Sequence, residues 1–275
     1  MQHLVAENGL SLRRACAALG LSRSAWYRPR EDALRRDREV IDALQQLVEE
    51  HRRWGFWLCY QRIRLDGRGW NHKRVYRVYR ELGLNLKRRA KKRIPTRVRQ
   101  PLEVPTLPNA VWSVDFMHDR LYVGRRFRTL NVLDEGVREG LDIEIDTSLS
   151  GERVVRVLDR LKNYRGLPKA IRCDNGPELT GQQFVDWCNA NGVEIRYIQP
   201  GKPNQNAYIE RFNRTYREEV LSTYLFEDLD QVREITQEWL TTYNERRPHN
   251  ALGGLPPAVF RRRKTAGIST YEWSS

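Results

Sequence analysis

The sequence predicts an α/β protein in which a mixed sheet flanked by helices follows a basic, helical N-terminal region. Three observations predict it. Up to residue 86 the chain shows only helical periodicity and helix caps. Residues 87–108 then combine a dense basic run with repeated prolines, which no regular element survives. From residue 109 onward, apolar strand-like runs come first, and strands alternating with helices follow them. The chain has 275 residues, 40% of them apolar, which suffices for a sizeable core with smaller appendages.

Residues 11–29 read as two short helices around a turn. Ser11 caps the first, Ala15, Ala18 and Leu19 supply its apolar stripe, and Gly20 ends it; Ser22 opens the second, which Pro29 stops. This is a helix-turn-helix pattern with Arg23, Arg28 and Arg30 near its second helix, and equally the pattern of a small helical hairpin. Residues 32–50 form a charged helix with Leu34, Val40, Ile41, Leu44, Leu47 and Val48 mostly at helical spacing. An Arg- and aromatic-rich segment follows, and Asn71 to Lys73 open a helix whose Val75, Val78, Tyr79 and Leu82 make one face before Gly83 closes it. The aromatics here fit a core better than a base-stacking platform, whereas Arg74, Arg77 and Arg80 on the outer faces suit phosphate. The run that includes Arg88, Arg89, Lys91 and Lys92 reads as a solvated tether or as one lying along a DNA backbone, and the charge balance favours the second.

Beyond the linker, Val111–Met117 is a buried strand. Leu121–Val123 and Phe127–Leu133 read as two more around the basic turn Gly124-Arg125-Arg126, with Leu141–Ile145 extending the sheet. A helix over Ser150–Tyr164, a strand over Ala170–Cys173, a helix over Gly181–Ala190 and a strand over Val193–Ile198 complete a mixed sheet. The expected domains are therefore a helical region at 1–86, a linker at 87–108, a core at 109–225, and a helical extension with a tail at 226–275.

The formal net charge of +14 calls for an acidic partner, and double-stranded DNA is the first candidate. Cys16, Cys59, Cys173 and Cys188 are scattered, without Cys-x-x-Cys pairs, and the five histidines lack ligand spacing. Neither a disulfide framework nor structural zinc is indicated. No apolar run approaches the ~18 residues of a membrane span, and there is no secretory h-region. The expected location is the cytoplasm, at the nucleoid, with no membrane partner.

Three carboxylates stand in places where acids are costly or aimed. Asp115 lies in an apolar strand, Asp174 ends the next strand before the turn Asn175-Gly176-Pro177, and Glu210 borders the apolar face Ile209, Phe212, Tyr216 and Val220 of a helix beginning near Gln205. Oxygen ligands from two strands and a helix suit hard cations, Mg2+ or Mn2+, and metal pairs of that kind drive in-line displacement at phosphorus. Singly, each acid has a plainer role: Asp174 as a turn cap, Glu210 as an i+4 partner of Arg214, Asp115 as a strand-end acceptor.

Their order and context carry more weight. Trp112-Ser113-Val114-Asp115, the stretch Arg172 to Glu178, and the stretch Gln199 to Asn213 resemble the D, D-35-E signature of insertion-sequence transposases. The match is to the second-frame (OrfB) product of the IS-three family, in the retroviral integrase superfamily. Tyr243 to Leu252 resembles that family's C-terminal signature, and Arg217 stands where the family carries Lys or Arg. The resemblance implies a ribonuclease H-like core in which Asp115, Asp174 and Glu210 bind metal and catalyse strand cleavage and strand transfer. It also implies a homo-oligomer on element ends and target DNA, and fusion or partnership with an upstream-frame product. Two positions depart from the pattern: Gly136 replaces an aromatic, which is expected to loosen the sheet there, and Leu179 replaces a Phe. Lys202, Arg211, Arg214 and Arg217 are the expected DNA contacts around the site, and Asp119 and Glu178 rank below the three named acids. The competing reading is a DNA-binding repressor derived from a transposase that no longer cuts.

Overall fold

The computed structural model describes residues 9–27, 33–86, 105–199 and 203–266. Arg88, Arg89, Lys91, Lys92 and Lys202 lie outside the described residues. Packing divides the chain into two compact units, residues 1–45 and 46–275.

In the first unit, α1 (Leu12–Ala18) starts where the Ser11 hydroxyl accepts from the Arg14 amide at 3.4 Å. It stops at Gly20, whose φ of +64° only glycine adopts without strain. α2 (Arg23–Tyr27) follows, in the expected helix–turn–helix order. Ala15 and Cys16 are buried, whereas Leu19, expected in the stripe, is 46% exposed. Helix α3 (Ala33–Glu50) runs through the division between the units.

The second unit begins with two helices, α4 (Phe56–Leu65) and α5 (His72–Glu81). The Asn71 side chain caps α5 by accepting from the Lys73 amide at 2.8 Å. Cys59, Ile63, Val75, Val78 and Tyr79 are buried, and Phe56 stands edge-on to Tyr76 and Tyr79. The aromatics of this segment thus serve mainly as core, although Trp57 remains 57% exposed. Helix α4 is tied to a later segment where Gln61 donates to Asn250 at 2.9 Å, and Glu50, at the end of α3, pairs with Arg246 at 3.3 Å.

Five strands form one sheet in the order β3-β2-β1-β4-β5: β1 (Val111–Arg120), β2 (Arg126–Asp134), β3 (Glu139–Asp146), β4 (Ala170–Cys173) and β5 (Glu194–Tyr197). The first three are antiparallel; β4 and β5 join parallel to β1. This is the ribonuclease H-like mixed sheet expected. Leu121–Val123, read as a strand, is instead the hairpin turn between β1 and β2. There Leu121 donates to the Arg125 carbonyl, Gly124 takes a φ of +85°, and Tyr122 and Val123 face solvent. Bulky residues at a turn imitate a strand when only composition is read.

Strand alternation assigns side chains to two layers. Trp112, Val114, Leu130, Val132, Ile171 and Cys173 pack beneath α6 (Gly151–Arg165), α7 (Pro177–Thr180) and α8 (Gln182–Ala190). Leu179 is fully buried in this layer. On the opposite face, Met117, Phe127, Leu133, Ile143 and Ile145 meet α9 (Ala207–Tyr216) and α10 (Leu229–Glu245) through Ile209, Phe212, Tyr216, Val232, Leu240 and Tyr243. The division drawn at residue 225 therefore falls inside one packed layer. Between those helices the chain widens into a π turn over Arg217–Leu221, closed by the Ser222 amide on the Arg217 carbonyl at 2.8 Å. A short helix α11 (Pro257–Thr265) ends the described chain.

Gly136 leaves no gap. A Cβ there would come within 2.0 Å of the Leu107 carbonyl oxygen and 2.7 Å of its carbon, so the backbone of the incoming segment occupies the space of an absent side chain. Gly136→Ala is expected to cost about 1–3 kcal/mol in urea unfolding, because backbone rather than a flexible side chain must yield. A variant as stable as the parent would show that the contact at Leu107 carries no constraint.

Candidate active site

The two-residue period of the strands sets the site. Met117 lies on the sheet face that α9 covers, so Ser113 and Asp115 of β1 share that face. Ile171 and Cys173 lie on the other face, which puts Arg172 and Asp174 on the α9 side. β1 and β4 are paired in parallel up to Ser113 with Arg172, and Asp115 and Asp174 each come two residues later. Glu210 lies in the first turn of α9 and is exposed, next to the inward Ile209.

Asp115 is half-buried and held at both oxygens. The Phe116 amide donates to Oδ1 at 2.9 Å, and the Asn213 side chain donates to Oδ2 at 2.7 Å. Burial pushes its pKa up to about 6, and the negative charges of Asp174 and Glu210 add to that rise against the two hydrogen bonds. The structure thus brings both acids within electrostatic reach of Asp115. Asp174 is fixed by a tight turn in which its Oδ1 accepts from the Gly176 amide at 3.0 Å, and a Cβ at Gly176 would meet that same oxygen. Among the described residues no ion pair joins Glu210 to Arg214, and no three acidic, His or Cys side chains stand close enough together to grip an ion.

The neighbouring acids behave differently. Asp119 pairs with Arg217 at 3.2 Å, and Glu178 with Arg128 at 2.5 Å; the Arg128 guanidinium also lies 4.5 Å from the Phe116 ring centre. Burial works to raise the Glu178 pKa, but the Arg128 hydrogen bond, a backbone amide and the Arg128 charge together hold it below the usual carboxylate range. Asp119 and Glu178 already have protein cations, whereas no ion pair is formed by Asp115, Asp174 or Glu210 among the described residues. An all-oxygen set without a protein cation has the donor chemistry a hard divalent ion requires.

Asn213, three residues after Glu210, was missed as a functional residue. It is buried, donates to Asp115, and accepts from Asn131 Nδ2 at 2.6 Å, so two buried amides brace the carboxylate from behind. The available signal was an asparagine between Phe212 and Tyr216, on the apolar face of the helix.

The expected DNA contacts divide. Arg211 and Arg214 are exposed beside Glu210. Arg217 is drawn to the sheet edge, donating to the His118 carbonyl at 3.0 Å as well as pairing with Asp119. Arg77 pairs with Glu81 at 3.0 Å along its own helix, and Arg74 is half-buried.

Two outcomes follow. A carboxyl whose value in the fold lies above its free value near 3.8 contributes stability fully below that free value. It loses the contribution as pH rises through about 6. In EDTA, Asp115→Asn is therefore expected to gain on the parent by on the order of 1–3 kcal/mol between about pH 4 and pH 7 in thermal unfolding. A difference independent of pH would refute the burial argument. Asn213→Ala is expected to raise the Mg2+ concentration for half-maximal cleavage, or lower the rate, by about 10–100-fold, since it removes the support of Asp115, which the sequence leads one to expect as a ligand. Unchanged metal dependence would leave Asn213 as packing alone.

Comparison with known proteins places these features. Two family models described as integrase core domain match residues 105–203 and 191–257. The 31.7 kDa protein of insertion element IS407 from Burkholderia multivorans is 44% identical over 259 residues, covering 94% of this chain and 92% of that protein. The 39.2 kDa protein of insertion element IS476 from Xanthomonas euvesicatoria is 40% identical over 260 residues, covering 94% and 75%. Among solved structures, the HTLV-2 integrase catalytic core in complex with magnesium is similar at a TM-score of 0.44 and 17% identity, covering 57% of this chain and 99% of that one.

Proposed function

Because the chain belongs to the insertion-sequence transposases of the retroviral integrase superfamily, we propose that it cleaves DNA strands at the ends of its element and joins them to a target, using Asp115, Asp174 and Glu210. One observation carries the reading. Asp115 is a half-buried acid whose charge is opposed by burial and by two further acids, and among the described residues no ion pair relieves it, although arginines pair with the nearby acids Asp119 and Glu178. A divalent cation is the group that resolves this conflict.

The three carboxylates would hold Mg2+ or Mn2+, which activates the attacking oxygen and stabilises the leaving oxygen of an in-line displacement at phosphorus. The chain's own residues orient and receive. Asn213 and the Phe116 amide fix the Asp115 carboxylate, and the Gly176 amide fixes Asp174. Glu210, exposed at the start of α9, can shift toward the other two when DNA and metal arrive. Arg211 and Arg214 flank it and receive the phosphate backbone, and Lys202, earlier in the sequence, is a further expected contact. Residues 1–86, with Arg74 and Arg77, and the basic linker at 87–108, with Arg88, Arg89, Lys91 and Lys92, supply further DNA contacts in this reading, in addition to the core at 109–225 and its extension at 226–275. The partners in this reading are element-end and target DNA, further copies of the chain, and the upstream-frame product. The setting is the cytoplasm at the nucleoid; no helix among the described residues is long and apolar enough to cross a membrane.

The test uses purified protein and a labelled duplex carrying the inverted repeat that brackets the gene, with Mg2+ or with EDTA. Product is expected only with metal, and Asp174→Asn and Glu210→Gln are each expected to lose roughly a hundredfold or more in rate while keeping DNA affinity within about threefold. If both variants cut as well as the parent, the assignment of the carboxylates is wrong. If nothing cuts while DNA binding persists, the repressor reading replaces it.

A further inference from the structure

Three charged residues beside the site have no role in the reading above. Glu135 follows β2, and its side chain is fully buried. Its Oε1 accepts from the Ser113 hydroxyl and lies 3.3 Å from Nη1 of Arg172, on β4 two residues before Asp174. That same nitrogen donates to the backbone carbonyl of Gln205 at 2.9 Å. Gln205 belongs to the 3-10 turn Pro203–Asn206 that leads directly into α9, and its side chain accepts from the Gln199 amide at 2.9 Å. From the turn between β2 and β3, Arg138 donates to the Glu135 carbonyl and lays its guanidinium 3.5 Å from the ring centre of Tyr208, two residues before Glu210. Both arginines are thus anchored at Glu135; Arg172 ends on the 3-10 turn that leads into the helix carrying Glu210, and Arg138 on the first turn of that helix.

A buried arginine–glutamate pair is a poor way to gain stability, because desolvation takes back most of the attraction and an apolar pair of equal size does as well. Here the pair links elements that apolar packing alone does not lock together. It connects strand β4, the β2–β3 turn, and a carbonyl of the 3-10 turn, one of the groups that helix bonding does not have to satisfy. We infer that Arg172, assisted by Arg138, is a positioning residue: the Glu135–Arg172–Gln205 clamp holds the start of α9 at a fixed distance from the end of β4, and so sets the spacing at which Glu210 and Asp174 share a cation. This rests on the proposed role of the carboxylates for its consequence, but the mechanical part stands without it.

Arg172→Met alone would strand the Glu135 charge and endanger folding, so the main variant is the neutral, size-matched double Glu135→Gln/Arg172→Met, compared with Arg172→Lys, whose ammonium can still bridge both partners. Hydrogen exchange of the full chain in the absence of DNA and metal reads the clamp directly. Amides over residues 205–213 are expected to exchange about tenfold faster in the double variant and within about threefold of the parent in Arg172→Lys. On the element-end duplex, the double variant is expected to need about fivefold more Mn2+ for half-maximal cleavage, with DNA affinity within about twofold of the parent and Arg172→Lys restoring the metal dependence. A merely structural role would lower the melting temperature without moving the Mn2+ requirement. Unchanged exchange over 205–213 in the folded double variant overturns the clamp, as does faster exchange with an unchanged Mn2+ requirement. Should the double variant fail to fold, Glu135→Gln alone, which keeps the Ser113 bond, decides by the same exchange measurement. A parent that never cuts would sink the functional reading and leave the exchange result to judge the clamp.

Discussion

A carboxylate facing the inside of a protein must be compensated, and in the second unit the compensation of Asp115 organises everything near it. Strand alternation leaves Asp115 no choice of face: once Trp112 and Val114 enter the layer under α6, it must point toward α9. There, burial and two further acids oppose its charge, and among the described residues the Phe116 amide N–H and the Asn213 side chain favour it. Neutral donors hold the group without cancelling it. Arg128 is committed to Glu178 and Arg217 to Asp119, and among the described residues no ion pair is formed by Asp115.

The ionic groups behind the site follow a different rule. Asp134 and Glu135 are fully buried, yet each meets an arginine, Asp134 with Arg165 at 3.3 Å and Glu135 with Arg172 at 3.3 Å. Asp134 also accepts from the Asn109 and Gly136 amides, at 2.9 Å each, which pins the chain where it enters the sheet. These pairs define geometry rather than add stability, since charges removed from water regain little. The different partners separate the acids paired with arginine from those that form no ion pair among the described residues.

Much of this was legible in the sequence. Ala170–Cys173 is a strand of the expected extent, Ser11 is a cap, helices open at Asn71 and Ser150 as expected, and Asp115, Asp174 and Glu210 stand out because acids interrupt apolar patterns at a strand, a strand end and a helix face. What escaped was long-range pairing. Arg217 and Asp119, or Arg172 and Gln205, are far apart in the chain, and periodicity carries no information about which side chains meet. The Leu121–Val123 turn escaped for the opposite reason, since its composition is locally strand-like while the hairpin around it decides. Gly136 was read as a lost side chain because a sequence cannot show that a passing backbone fills its space.

The π turn at Arg217–Leu221 has a consequence for how this fold can change over time. One extra residue in a helical turn rotates all that follows by about 100° relative to an uninterrupted helix. The stretch bearing Glu210 and Asn213 and the stretch bearing Val220 and Leu221 are therefore angularly independent, and each can present its own face without compromise. A lineage that trimmed or added a residue there would swing Val220, Leu221 and the entry to α10 out of register while leaving the acid and its amide brace untouched. The bulge acts as a phase adjuster, insulating the chemistry from drift in the packing downstream.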